Sequence, residues 1–147
     1  MAEIVEVSPQ DVLLRRVLHR ADYLEWHADF GRWVPSLAGV RFDPDGMSAF
    51  LHHLLEMQQH DASDVRSLGG TSDKPAIVYE FTAQAAEDVG FTAEHSPNND
   101  TPIGYGHASV TKPAALLRQD ERKARTDLAT RMNLVFGEVD LPKPEGA

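Results

Sequence analysis

Apolar and polar positions along this chain follow two different periods, and the two together predict a mixture of strands and helices. The plainest alternation is Ala76-Ile77-Val78-Tyr79-Glu80-Phe81-Thr82. Ile77, Tyr79 and Phe81 share one face of the predicted strand, and Val78, Glu80 and Thr82 share the other. Thr82 then caps a short helix that runs through Val89 and is closed by Gly90. Phe91 to His95 reads as a strand, Ser96-Pro97-Asn98-Asn99-Asp100 as an exposed turn, and Ile103 to Thr111 as a strand weakened by Gly104 and Gly106. Helical spacing is clearest at Met47, Phe50, Leu51, Leu54 and Leu55, with Asp45 or Ser48 as its cap. A second helix is predicted near Ser63 to Leu68, capped by Asp61 or Ser63 and stopped by Gly69-Gly70. The longest predicted helix starts at Thr111 or Lys112 and reaches about Phe136, burying Leu117, Ala124, Leu128, Met132 and Val135. Glu121–Arg125 and Asp127–Arg131 support it as i,i+4 pairs with the acid first.

The N-terminal third is less regular. Ile4, Val5 and Val7 predict a short edge strand. Ser8-Pro9-Gln10-Asp11 has helix-start chemistry, and Leu13, Leu14, Val17 and Leu18 then fall on one helical face. The competing reading is a strand through Val12-Leu13-Leu14-Arg15-Arg16-Val17, and local signals favour the helix. Residues 19–46 hold Tyr23, Trp26, Phe30 and Trp33 without a clean period, and read as loop, a short strand within Leu37 to Phe42, and turn. The sum is a single α+β domain over residues 1–137, with a small, mainly antiparallel sheet, amphipathic helices and a long C-terminal helix packed on one face. Residues 138–147, with two prolines and a glycine, read as a mobile tail.

Composition narrows the function classes. The 147 residues include no cysteine, which removes disulfides, thiolate nucleophiles and zinc–thiolate sites. Twenty-three acidic residues against 14 basic give a formal charge of −9, which disfavours general nucleic-acid binding. No apolar run approaches the ~20 residues that span a bilayer, and Met1-Ala2-Glu3 does not open a signal peptide, so a cytoplasmic, non-membrane protein is expected.

Candidate chemistry therefore rests on His, Ser, Arg and carboxylates. His107, beside Gly106, could project into a cleft as an acid or base. Ser36, Ser48 and Ser109 are candidate hydroxyls, yet none lies in a Gly-x-Ser-x-Gly elbow. Ser67-Leu68-Gly69-Gly70-Thr71-Ser72 lacks the lysine of a phosphate loop. Arg15-Arg16, with Arg20 and Arg41, is a small basic cluster suited to an anion, or to pairing with the chain's own acids. His53, Glu56 and His60 fall on one helical face, where a solvated surface outweighs a metal site; no metal or other cofactor is expected.

Four short motifs carry a resemblance. Asp11-Val12-Leu13-Leu14-Arg15-Arg16-Val17, Pro35-Ser36, Asp45-Gly46-Met47-Ser48 and Gly106-His107-Ala108 before a basic helix make the chain, over residues 11 to 135, similar to a group of small bacterial proteins of unassigned function. In that group the Leu-Leu-Arg-Arg segment looks like a strand, against the capping argument above. The stretch between Leu18 and Trp33 departs from the group as an aromatic-rich insertion. The resemblance supplies no activity, but implies that Arg16, Ser36, Ser48 and His107 outrank the other polar residues.

Three functional readings follow. The first is an interaction or accessory module that binds another protein through Trp26 and Trp33. The alternative is a small enzyme acting on a nucleotide-like or phosphorylated substrate, with Arg16 holding phosphate, Ser36 or Ser48 positioning it and His107 as acid/base. An ADP-ribosyltransferase-like scaffold would place such residues on neighbouring strands, by fold-level analogy alone. The third is a metal-dependent hydrolase using His52, His53, His60 or His95. Whether Arg16 and His107 share a cleft separates the second reading from the others.

Overall fold

A computed structural model describes residues 3–68 and 76–144. Among these described residues, eight strands and four α-helices follow in the order β1 (Val12–Leu18), β2 (Leu24–His27), β3 (Arg32–Pro35), β4 (Met47–Leu51), α1 (His52–Met57), α2 (Ala62–Arg66), β5 (Ala76–Thr82), α3 (Ala83–Asp88), β6 (Thr92–His95), β7 (His107–Thr111), α4 (Arg118–Thr130) and β8 (Asn133–Phe136). Six of the strands form one antiparallel sheet in the order β6-β7-β4-β1-β5-β8, and β2-β3 is a separate hairpin. The fold is α+β, as the pattern predicts. No helix among the described residues is long and apolar enough to cross a membrane.

The largest correction concerns residues 11–18, of which Val12–Leu18 form strand β1 rather than a helix. Ser8 to Asp11 makes a tight turn, in which Asp11 N–H donates to Ser8 O at 3.0 Å. β1 then pairs along all seven residues with β5, from Val12↔Thr82 to Leu18↔Ala76. Both of its faces are covered: Leu13, Leu14 and Val17 are all buried. A central strand needs apolar residues on both faces, so its pattern loses the alternation that marks a strand and mimics a helix stripe. Met47–Leu51 repeats the effect. Met47, Ala49 and Leu51 enter one core and Phe50 the other, so the predicted helix begins only at His52, with Leu54 and Leu55 as its buried residues.

The C-terminal helix is shorter than predicted. Its turns end at Thr130, Met132 is buried, and Asn133–Phe136 joins the sheet edge beside β5. The run Leu134-Val135-Phe136 suits an extended edge better than a helix end. Smaller differences are the 3-10 turn at Gly104–Gly106, which delays β7 to His107, and the hairpin β2-β3. Leu37 to Val40 is a turn rather than a strand, and the described residues before Ser8 form no strand, although Val5 and Val7 pack on the core. The elements predicted as β5, α2, α3 and β6 stand where expected, with Asp61 and Thr82 as the α2 and α3 caps. Gly69-Gly70 lies outside the described residues. Of the predicted tail, residues 138–144 lie against the domain: Val139 and Leu141 pack on the core, Asp140 N–H donates to His19 Nε2, and Lys143 covers Trp26.

The two faces of the sheet are unequal. One carries the main core, including Leu13, Val17, Met47, Tyr79, Phe81, Val110 and, from α4, Leu128. The other holds a smaller cluster of Leu14, Phe50 and Val78 under Leu55, Val65 and Ile103. Alternation along the strands places Arg16, Ser48, His107 and Ser109 on this second face, beside the small cluster.

A candidate anion cleft between β1 and β4

β1 and β4 pair only at Leu13↔Leu51 and Leu14↔Phe50, whereas β4 stays paired with β7 from Met47↔Val110 to Phe50↔His107. Past Leu14 the carbonyl of Ser48 meets a side chain: Arg15 Nη1–H donates to Ser48 O at 2.8 Å. A guanidinium thus fills the seam where two neighbouring strands separate. Over this seam lies a cavity of about 460 Å³, lined by Arg15, Arg16, Arg41, Ser48, Phe50 and His107 among others. The structure therefore brings Arg16, Ser48 and His107 together around one cleft.

The arginines give that cleft its sign. Among the described residues that line it, Arg15, Arg16 and Arg41 stand with one carboxylate, Asp100, in a chain of net −9. Arg15 Nε–H also donates to Gly39 O at 3.2 Å. Burial lowers its pKa to about 10, opposed by the nearby Asp43. It stays cationic at neutral pH. Arg16 is likewise held below its ordinary value, chiefly by burial and then by Arg66, and its Nε–H donates to Arg66 O at 3.1 Å. Arg41 is exposed and pairs with Asp43 at 3.4 Å. Gly39 has to be glycine, because a Cβ there would lie 2.6 Å from Tyr23 O.

His107 is fixed from behind. Its Nδ1–H donates to the backbone carbonyl of Ser96 at 2.9 Å, and Ser96 Oγ lies 3.0 Å from the same nitrogen. A carbonyl only accepts, so in the neutral imidazole the proton sits on Nδ1 and Nε2 is bare. Ser48 Oγ lies 3.0 Å from Nε2, so its O–H donates to the bare nitrogen. The Phe50 ring packs edge-on against His107 at 5.4 Å, and Ser109 Oγ completes the network 2.8 Å from Ser96 Oγ. A hydroxyl hydrogen-bonded to an imidazole that a second group orients is the arrangement general-base chemistry requires. Thr101 Oγ1, in a residue of the cleft wall, is buried without a hydrogen-bond partner among the described residues.

The other predicted residues lie elsewhere. Ser36 is not in the cleft; its Oγ–H donates to Asp22 O at 2.7 Å and ties down the turn after β3. Trp26 and Trp33 face each other across the β2-β3 hairpin at 5.6 Å and line a separate cavity of about 500 Å³ with Arg32, Leu134, Val139 and Lys143. The histidines of the metal reading have separate partners: His52 meets Glu56, His53 faces Asp11, His60 meets Asp64, and buried His95 bridges Val5 N–H and Tyr105 O. No cluster of three metal-ligating side chains exists among the described residues. Sequence reasoning missed Ser96, which orients His107, and Thr101. Both fall in or beside a turn whose place opposite β7 is visible only once β6 and β7 are paired.

Comparison with protein-family models, curated proteins and solved structures gives no match to this chain.

Proposed function

We propose that this protein is a small enzyme that binds a nucleotide-like or phosphorylated substrate in the β1–β4 cleft. Arg16, with Arg15 behind it, holds phosphate through guanidinium hydrogen bonds. Ser48 positions the phosphate, and His107 acts as acid/base through Nε2. The observation that carries this reading is the 3.0 Å Ser48–His107 contact in the same cavity as Arg16. A cavity of about 460 Å³ is of the size that takes a mononucleotide-sized ligand. Calorimetric titration with inorganic phosphate, ribose 5-phosphate and AMP tests it. Binding that weakens at least tenfold in Arg16→Gln supports the proposal; absence of binding to all three ligands removes it.

A second reading, a module that binds another protein, has its own support. The Trp26/Trp33 cavity adjoins β8, whose Leu134, Val135 and Phe136 are 37 %, 41 % and 37 % exposed on a sheet edge. An open strand edge beside aromatic side chains suits an added strand from a partner. Under this reading a partner retained by the wild-type chain is lost with Leu134→Asp and kept with Arg16→Gln. Equal retention by Leu134→Asp overturns it.

A further inference from the structure

Ser48 does more than position a substrate: we infer that it is a covalent nucleophile toward phosphoesters, activated by His107. This inference rests on the phosphate reading of the cleft. Three features single out Ser48. Its Oγ is exposed at the cavity wall and faces the bare Nε2 of His107 at 3.0 Å. Ser96 and Ser109 lie behind the ring, where Nδ1–H donates to the Ser96 carbonyl, so that nitrogen keeps its proton and offers no basic lone pair. Ser36 is bound to Asp22 O, away from the cleft. Arg15 Nη1–H, by holding the Ser48 backbone carbonyl at 2.8 Å, fixes the strand position from which Oγ projects.

The step balances as follows. Ser48 Oγ attacks phosphorus, its proton passes to His107 Nε2, and the bond from phosphorus to the leaving alcohol breaks. The imidazolium returns that proton to the departing alkoxide, leaving neutral His107 and a phosphorylated Ser48. Water, deprotonated by the same Nε2, then attacks phosphorus, the Ser48–phosphate bond breaks, and the imidazolium gives its proton to Ser48 Oγ, releasing phosphate and restoring the free hydroxyl and neutral His107. Arg15 and Arg16 face the negative charge that gathers on the phosphoryl oxygens in both halves. The Ser96 carbonyl stabilises the imidazolium formed between them.

Diisopropyl fluorophosphate, which transfers its phosphoryl group to activated serines and releases fluoride, tests this on the full chain by intact mass and peptide mapping. A single adduct at Ser48 is expected. His107→Gln should slow it by about a hundredfold or more, and Ser96→Ala, which keeps the carbonyl, should change it by less than tenfold. Far-ultraviolet circular dichroism of each variant confirms that a lost adduct is not lost folding. No adduct at Ser48 in a chain that still binds inorganic phosphate overturns the nucleophile and leaves the phosphate reading standing. Labelling spread equally over other serines, or unchanged by His107→Gln, also overturns it. A His107-dependent Ser48 adduct that inorganic phosphate does not slow supports an activated serine, while counting against phosphate as the ligand of the cleft.

Discussion

Arg125 is not in the cleft, yet it holds one of its walls, which makes Arg125→Met an informative perturbation. From α4 its Nη2–H donates to Leu37 O at 2.6 Å and its Nε–H to Val40 O at 3.0 Å, while Nη1 pairs with Glu121 at 3.1 Å. The pair is well shielded, at 12 % and 11 % side-chain exposure, and burial lowers the Arg125 pKa. Methionine keeps much of the apolar stem but strands two carbonyls and one carboxylate. Breaking one partner of such a pair typically costs ~3–5 kcal/mol. Lys112 still neutralises Glu121, so the lower end, ~3 kcal/mol, applies here. For a domain of this size that corresponds to a fall in Tm of roughly 6–12 °C. Urea unfolding measures the loss, and Glu121→Gln, which leaves both carbonyl bonds, should cost clearly less. The turn held by Arg125 also presents Gly39 O to Arg15, so phosphate affinity should drop by up to about tenfold, ~1.4 kcal/mol. A stability loss below ~1 kcal/mol would refute the assignment of Arg125 as the tether of this turn.

Other outcomes follow from single contacts. Tyr79 is fully buried, its O–H donates to Trp33 O at 3.0 Å, and burial pushes its pKa up to about 12. The unfolded chain therefore releases this proton first; stability is level below pH 10 and falls as pH rises towards 12, by roughly 2–3 kcal/mol in all. Tyr79→Phe should remove that component of the alkaline loss, read from urea midpoints between pH 9 and 11. Thr101→Val removes an unpaired buried hydroxyl and should leave stability unchanged or raise it by up to ~1 kcal/mol in thermal unfolding. Ser36→Ala should lose ~1 kcal/mol through the Asp22 bond and leave phosphate binding intact by calorimetry. Gly39→Ala drives a Cβ to 2.6 Å from Tyr23 O and should cost ~1–3 kcal/mol while weakening phosphate binding through Arg15.

The legible parts of the fold were those whose signals are local. β5 is legible because Glu80 and Thr82 interrupt its β-branched and aromatic run, although Ala76 to Tyr79 are all buried, and α2 and α3 announce themselves through Asp61 and Thr82. β1 and β4 carry a helix-like pattern because a central strand hides both faces, so neither Leu13-Leu14 nor Phe50-Leu51 has a polar alternate. β8 reads as part of the preceding helix because Met132 and Val135 continue its stripe, and only pairing with β5 sets it apart. The cleft was half legible. Arg16, Ser48 and His107 stood out as residue types near turns or glycines, but Ser36 stood out equally. What separates Ser48 from Ser36 is register: Ser48 lies opposite Ser109 and two residues from Phe50, the partner of His107, a relation between strands roughly sixty positions apart. Ser96 had no signal beyond its turn, since its role depends on a backbone carbonyl meeting a ring from another strand.

The central claim is that the β1–β4 cleft, among all surfaces of this acidic chain, is where a phosphorylated ligand binds. Amide and histidine ring resonances followed during titration with AMP address it most directly. The account predicts saturable shifts confined to residues around Arg15, Arg16, Ser48 and His107, lost in Arg16→Gln, with the Nδ1–H tautomer of His107 visible in the free protein. Shifts that instead centre on Trp26, Trp33 and β8, or that persist in Arg16→Gln, would contradict it.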